Sequence, residues 1–137
     1  MDPRPKGIYH FLVCLPDHLY PFACEIEGKW VRGVRSYDRA LAAAFEKYGR
    51  GHYGTWLVFY RSIFHVVGSV AVIVAAALIS NDIFGSKIAL YIVLVLTAIF
   101  IAFQEFYLQR RSYEQLWRKA AVDYLGWVAP ICIYIFL

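Results

Sequence analysis

Charged residues and recognisable catalytic motifs are both scarce in this sequence. Asp, Glu, Lys and Arg make up 18% of its 137 residues, whereas soluble domains contain about a quarter. It contains no phosphate-binding loop, nucleophile elbow, Rossmann fingerprint or HExxH motif. No arrangement of residues supports catalysis, so we expect a protein that is not an enzyme and needs no cofactor.

Cysteine is also rare. There are three cysteines and no CxxC pair, and an odd count argues against a framework of disulfide bonds. Two of them lie among histidines, and the four side chains that a metal site would have to use are His10, Cys14, His18 and Cys24. Their spacing matches no known zinc pattern and prolines fall between them, so we expect no metal.

What the sequence has in excess is apolar residues. They make up 61% of the chain, and the mean hydropathy is +0.51. Two runs, 56–80 and 88–108, each reach the roughly 20 residues needed to cross a bilayer. Aromatic residues border both runs, as is typical of membrane interfaces. The short turn 81–87 between them predicts a transmembrane helical hairpin, and therefore an integral membrane protein.

The segment after the hairpin is harder to assign. Residues 112–123 have helical spacing of apolar side chains with basic residues around them, which predicts an interfacial helix. The apolar end 124–137 is shorter than a straight span and contains Pro130. Three arrangements stay open for this membrane-embedded end: a re-entrant segment, a short third span that starts near Ala120, or a strip packed on the hairpin.

The first 55 residues are mixed in character. Residues 36–48 carry one apolar stripe at helical spacing, which predicts an amphipathic helix packed either on its own small domain or on the membrane or a partner. A β-hairpin is expected around Gly28, and residues 8–15 are expected to form a strand or to lie at the membrane surface. The predicted fold is therefore mainly α-helical, with a small α(+β) region at 1–55 and a membrane domain at 56–137.

Basic residues set the expected orientation. They are abundant before the first span and after the second, whereas the turn between the spans has only Lys87, with Asp82 nearby. By the positive-inside rule, the N-terminus and the segment after the second span lie in the cytoplasm. Cys14 and Cys24 would then be in a reducing compartment, free rather than bridged.

Three ionisable residues fall inside the predicted spans. Arg61 and His65 lie one turn apart in the first, and folding the hairpin about Ile83 places Arg61 opposite Glu105 of the second. Intramembrane charges tend to face a bundle interior and to pair, so a structural Arg61–Glu105 pair is the first interpretation. The alternative is a proton relay or ligand site formed by Arg61, His65 and Glu105.

Small residues predict where the helices pack, and basic residues predict where the lipid head groups lie. Small side chains allow close approach between helices, and the expected packing face consists of Gly68, Ser69, Ala75, Ala98 and Ala102. The residues expected to contact anionic head groups are Arg110, Arg111, Arg118 and Lys119. The same attraction explains the net charge of +4 without nucleic acid, which we do not expect as a partner.

Three functions are compatible with this organisation. A hairpin has little interior of its own, which favours an accessory or scaffold subunit that contacts other membrane proteins or forms a homo-oligomer. A pore-forming protein of the small-holin type shares the hairpin and the basic tail, but neither helix has a long hydrophilic stripe. The third possibility is a lipid-modifying enzyme that uses interfacial Arg and His residues, but no sequence motif supports it.

Overall fold

The computed structural model describes residues 7–137, apart from the side chains of Ile83, Phe84 and Tyr113. Within residues 7–137 the protein is 78% helical with one small two-stranded sheet, and three of the helices in this range are long and apolar enough to cross a membrane. The chain divides into two compact units between Leu57 and Val58. The N-terminal unit holds the sheet, and the second unit, the membrane unit, holds most of the apolar helical sequence.

The N-terminal unit begins with two short helices, α1 (Ile8–Val13) and α2 (Leu15–His18). The expectation of a strand over residues 8–15 is therefore wrong. A short apolar run does not separate strand from helix by periodicity, and Pro16 lies in the first turn of α2, where its missing N–H breaks no hydrogen bond.

The predicted hairpin around Gly28 is confirmed. Strands β1 (Cys24–Ile26) and β2 (Lys29–Val31) pair antiparallel, with Glu25 opposite Trp30. The two turn residues between them, Glu27 and Gly28, both have positive φ angles, of 53° and 73°. Positive φ at both central residues is the geometry of a type I′ turn, whose twist matches that of the strands.

Helix α3 (Val34–Tyr48) contains the predicted amphipathic segment 36–48. Tyr37 is 2% exposed and packs edge-on against Tyr20, which in turn packs on Phe22. The Ser36 hydroxyl donates a hydrogen bond of 2.8 Å to the Phe22 carbonyl. Burial, and secondarily negative charge on Cys24, raises the pKa of Tyr20 above that of a free phenol. The stripe thus packs within its own unit at this end.

The spanning helices occupy Gly54–Asp82, Lys87–Ser112 and Trp117–Phe136. The first is α4 (Gly54–Ile79) continued by a π-helical segment (Ser80–Phe84). The second is α5 (Lys87–Phe103), a second π-helical segment (Gln104–Gln109) and α6 (Arg110–Tyr113). The third is α7 (Trp117–Phe136). Both predicted spans, 56–80 and 88–108, lie inside the first two helices.

The C-terminal part differs from the sequence expectation. The interfacial helix expected over 112–123 and the separate end expected over 124–137 form one helix, α7, which begins at Trp117. Its mean hydropathy is 1.3, against 2.4 and 2.2 for the other two spans. Pro130 lies inside it without ending it, because membrane helices tolerate proline where neighbouring helices compensate for the lost bond.

The three helices share an apolar core in the half of the bundle nearer the 80–87 turn. Its buried residues come from all three helices and are Ile73, Ala76, Leu90, Leu94 and Ile131. A tight turn joins the second helix to the third: Glu114 has a left-handed φ of 52°, and Leu116 is extended. Such a short connection makes the two helices antiparallel.

Candidate functional site within the helix bundle

Polar side chains fill the other half of the bundle, where the first helix begins, the second ends and the third begins. Each member of this buried polar cluster is at most 8% exposed. The members are Arg61, His65, Ser69, Glu105, Gln109, Gln115, Lys119 and Asp123. Two basic and two acidic side chains balance, so the cluster has no formal net charge when His65 is neutral. Charge balance makes burial in a membrane far less costly.

Asp123, on the third helix, contacts Lys119, Gln115 and His65. Its carboxylate is 1% exposed, and Lys119, one helical turn earlier, donates from Nζ to Oδ2. The Gln115 side-chain amide donates to the same oxygen at 2.8 Å. His65 Nδ1, on the first helix, lies 3.5 Å from Oδ1. Asp123 on the third helix therefore contacts a side chain of the first helix.

Glu105 occupies the second π-helical segment and is fully buried. The amides of Gln109 and Gln104 donate to its Oε1 at 3.1 and 3.3 Å. Among the described residues, Oε2 has no hydrogen-bond partner. Arg61 and Lys119 both interact with Glu105 electrostatically. Because one residue is added per π-helical turn, such segments re-aim side chains and are frequent at functional sites.

The expected Arg61–Glu105 pair stays a prediction, and a double-mutant cycle tests it. Arg61→Ala and Glu105→Ala should each lower the free energy of unfolding in detergent, and the double variant should cost less than the sum. Polar interactions within membranes average about 0.6 kcal/mol and reach about 1.7, so we expect a coupling of that size. Strictly additive losses would show that the two side chains do not interact.

The predicted small face of the first helix packs against the third helix. A Cβ built on Gly68 would lie 2.5 Å from Trp127 Cη2, so any larger residue there would force the Trp127 ring to shift. The Ser69 hydroxyl donates to the Trp127 carbonyl at 2.6 Å. Gly126 provides the matching close approach on the third helix, since a Cβ there would lie 3.3 Å from His65 Cβ. Glycine on both helices lets the two backbones come together.

The other residues of the predicted packing face lie in different places. Ala98 and Ala102 are half-buried on the second helix, on the side that also carries Leu94 and Glu105. Ala75 is exposed and does not belong to the interior face. Its neighbour Ala76, at 6% exposure, occupies the core instead.

Of the residues expected at lipid head groups, Lys119 is placed differently. It is buried against Asp123, so its charge is used inside the bundle. Arg118 is exposed, as expected of a head-group contact. The Arg110 guanidinium lies 5.0 Å from the Trp117 ring, and Arg111 donates to the Tyr107 hydroxyl at 3.3 Å. All three arginines are exposed, and their contact with anionic lipids stays a prediction.

The four candidate metal ligands lie in the N-terminal unit. Cys14 Sγ is 3.6 Å from the His10 ring nitrogens, and His18 Nδ1 is 2.8 Å from the Cys14 carbonyl oxygen. Cys24 begins strand β1. Across residues 7–137, no group of three or more His, Cys, Asp or Glu side chains is arranged to hold a metal ion.

Sequence inspection missed Gln109, Gln115, Asp123 and Trp127 as parts of the site. The spacing of polar residues in the sequence could have identified the first three. Gln115, Lys119 and Asp123 recur every four residues, as do Glu105 and Gln109, and a polar row at this spacing lies along one side of a helix. In segments with so few charges, such a row indicates a buried polar face.

Comparison with protein-family models, with curated proteins and with solved structures finds no match to this chain.

Proposed function

We propose that this protein is a small membrane subunit that acts through contacts with other proteins in the bilayer. The observation that carries the proposal is the buried polar cluster, in which basic and acidic side chains of three helices balance one another inside the bundle. Buried polar groups specify one arrangement of helices in some proteins, and we infer the same role for this cluster. A bundle held in one arrangement presents fixed outer faces, as a scaffold requires.

The burial of the cluster argues against a lipid-modifying enzyme. A catalytic group must touch its substrate, yet Arg61, His65 and Lys119 are at most 8% exposed. Asp123, the acceptor nearest to His65, is 1% exposed. A phospholipid head group has no access to side chains this deeply covered.

The layering of the interior argues against a pore. Ions are coordinated in a pore by polar groups, and an apolar constriction closes the path by excluding water. Between Ser69 and the buried Ser80, the bundle contains an apolar layer in which Ile73, Leu94 and Ile131 are at most 7% exposed. In a single bundle, this apolar layer separates the buried polar cluster from the end of the bundle at the turn between the first two helices.

The outer faces supply the contact surface that the proposal needs. Large apolar side chains are exposed on each spanning helix, for example Val70 at 48%, Leu96 at 60% and Leu125 at 61%. Lipid tails alone can cover such faces. A partner helix competes with lipid through close packing and interhelical hydrogen bonds rather than through the hydrophobic effect.

Photocrosslinking in native membranes tests the proposal. A photoreactive amino acid replaces Val70, Leu96 or Leu125 in turn, and Leu94, at 0% exposure, is the matched control. We expect a discrete protein adduct from at least one outer position and none from position 94. An adduct with a second copy would identify a homo-oligomer. Lipid adducts alone at all three outer positions would overturn the proposal.

Two further assays test the competing functions with the same purified protein. Release of a trapped dye from vesicles would favour a pore, and turnover of added phospholipid would favour an enzyme. We expect neither, because the polar cluster is closed to solvent and to lipid. A partner adduct together with dye release would assign the pore to the assembly rather than to the single bundle.

The topology prediction follows from the distribution of basic residues. We expect a reporter fused after Gly49 to be cytoplasmic, and a cysteine at Gly85 to be labelled from the opposite side. Because three helices can cross, a tag after Leu137 should be on the same side as residue 85. Labelling of positions 49 and 85 from one side would contradict the hairpin. A cytoplasmic C-terminal tag would contradict the third crossing.

A further inference from the structure

A cleft of about 760 Å³ opens between the three helices near the 80–87 turn. Its floor belongs to the apolar core, since Ile73 and Leu90 both line it and are at most 8% exposed. The first helix becomes π-helical at this end, and Gly85, with a φ of 55°, reverses the chain. The cleft lies wholly in the membrane unit and is separate from the buried polar cluster.

The lining of the cleft changes from apolar to polar toward the turn. Ile73, Ala77 and Leu90 line the part nearer the bundle centre. Asn81 and Lys87 line the part at the helix ends, where the membrane surface is expected. This order follows from the sequence, because residues 73–81 run toward the turn and residues 87–91 run away from it. A phospholipid has the same order of polarity along its length.

We propose that this cleft binds one phospholipid with an anionic head group. An acyl chain would lie on the floor formed by Ile73, Ala77 and Leu90, and the phosphate would meet the Lys87 ammonium. The Asn81 amide and the Ser86 hydroxyl, which also line the cleft, offer hydrogen-bond donors to phosphate oxygens. The inference does not depend on the proposed function.

The charges and phenols around the cleft suit this ligand. Lys87 is exposed and lines the cleft, whereas Asp82, the acidic residue of the same turn, is not among the lining residues. Tyr91 and Tyr134 line the cleft from the second and third helices. Tyrosine is enriched at the level of lipid head groups because its ring is apolar and its hydroxyl is polar.

The length of the cleft favours a lipid over a helix from a partner protein. From Ile73 to Asn81 the first helix rises about 12 Å, at 1.5 Å per residue. A hydrocarbon core is about 30 Å thick, so this is close to the depth of one leaflet. A partner helix would need a groove along both leaflets, and its apolar side chains would leave Lys87 without an anion.

Native mass spectrometry of the full chain, purified in mild detergent, tests the site. The probes are phosphatidylglycerol and phosphatidylcholine with identical acyl chains, and glycerol 3-phosphate as the soluble anion. We expect one phosphatidylglycerol adduct per chain, at least tenfold weaker binding of phosphatidylcholine, and no adduct with glycerol 3-phosphate. Equal binding of the two lipids would overturn the anionic site, and binding of the soluble anion would overturn the role of the acyl chain.

Matched variants locate the lipid. Lys87→Gln should weaken phosphatidylglycerol binding about tenfold, whereas Arg39→Gln, the same charge change in the N-terminal unit, should leave it unchanged. Ala77→Phe should abolish the adduct by filling the floor, whereas Ala71→Phe, at an exposed position away from the lining, should not. Lys87 is exposed, so its variant reports on the site even where Ala77→Phe impairs folding. Unchanged binding by Lys87→Gln would overturn the proposal.

Discussion

Replacing Asp123 by alanine should lower the free energy of unfolding of the membrane unit by about 3–5 kcal/mol, the usual cost of breaking a buried ion pair. The variant keeps the Lys119 ammonium inside the bundle but removes the carboxylate to which it donates. It also removes the acceptor of the Gln115 amide and the oxygen 3.5 Å from His65. Reversible unfolding in mixed micelles, followed by tryptophan fluorescence, measures the loss.

Asp82→Ala is the matched control for this prediction. Asp82 is exposed in the turn between the first two helices, so its removal should change stability by less than about 0.5 kcal/mol. Equal losses for the two variants would show that Asp123 is not paired inside the bundle. Where Asp123→Ala fails to fold, Asp123→Asn retains an acceptor for both donors and should fall between the two.

A double substitution separates two quantities: the loss of stability when one buried charge is left unpaired, and the net contribution of the intact pair to stability. Lys119→Met combined with Asp123→Leu removes both charges and replaces them with apolar side chains of similar size. Apolar replacement of a complete buried pair is often neutral or stabilising. We therefore expect the double variant to be more stable than Asp123→Ala. A double variant that is less stable would mean that other members of the cluster depend on this pair.

Replacing Gly68 by leucine is the second substitution for which we expect a large effect. A Cβ at this position would already lie 2.5 Å from Trp127 Cη2. The added side chain would separate the first and third helices and lengthen the 2.6 Å bond from Ser69 to the Trp127 carbonyl. Overpacking of this kind costs about 1–3 kcal/mol. The same unfolding measurement in mixed micelles determines the change.

Ala75→Leu introduces the same side chain at an exposed position of the same helix and should cost little. The comparison is stringent for Gly68→Leu. Replacing glycine in a helix gains about 1 kcal/mol of helix propensity, which offsets part of the cost of the clash. Gly68→Ala combined with Trp127→Leu should be more stable than Gly68→Ala alone, since the smaller side chain makes room for the methyl group. The contact between Gly68 and Trp127 would be contradicted if Trp127→Leu did not restore stability and if leucine at positions 68 and 75 lowered stability equally.

The amino-acid sequence is enough to predict a membrane protein, and it locates the first two of the three helices that are long enough to cross. Hydropathy over about 20 residues is a local property, so runs such as 56–80 and 88–108 need no knowledge of their neighbours. The β-hairpin around Gly28 and the helix containing residues 36–48 are local in the same sense. The residues that favour a turn, and an apolar stripe at helical spacing, can both be recognised within a short stretch of sequence.

The organisation of the C-terminal segment depends on contacts between helices that are far apart in the sequence. From the sequence, Lys119 and Asp123 were counted as interfacial, because a charge inside a membrane is costly unless it has a partner. The contacts that bury Asp123 come partly from His65, which lies on a different helix. Such contacts are invisible to a local count of apolar residues. With Lys119 and Asp123 paired inside the bundle, α7 is a full helix of 20 residues.

The packing partners of each helix also depended on the tertiary structure. The small face around Gly68 was identifiable from helical spacing, but the hairpin alone offered only the second helix as its neighbour. In the structure that face meets Trp127 of the third helix. The opposition of Arg61 and Glu105 was derived for straight α-helices of equal pitch, whereas π-helical segments occupy Ser80–Phe84 and Gln104–Gln109. Spacing determines which residues share a face, and the arrangement of all three helices determines what that face meets.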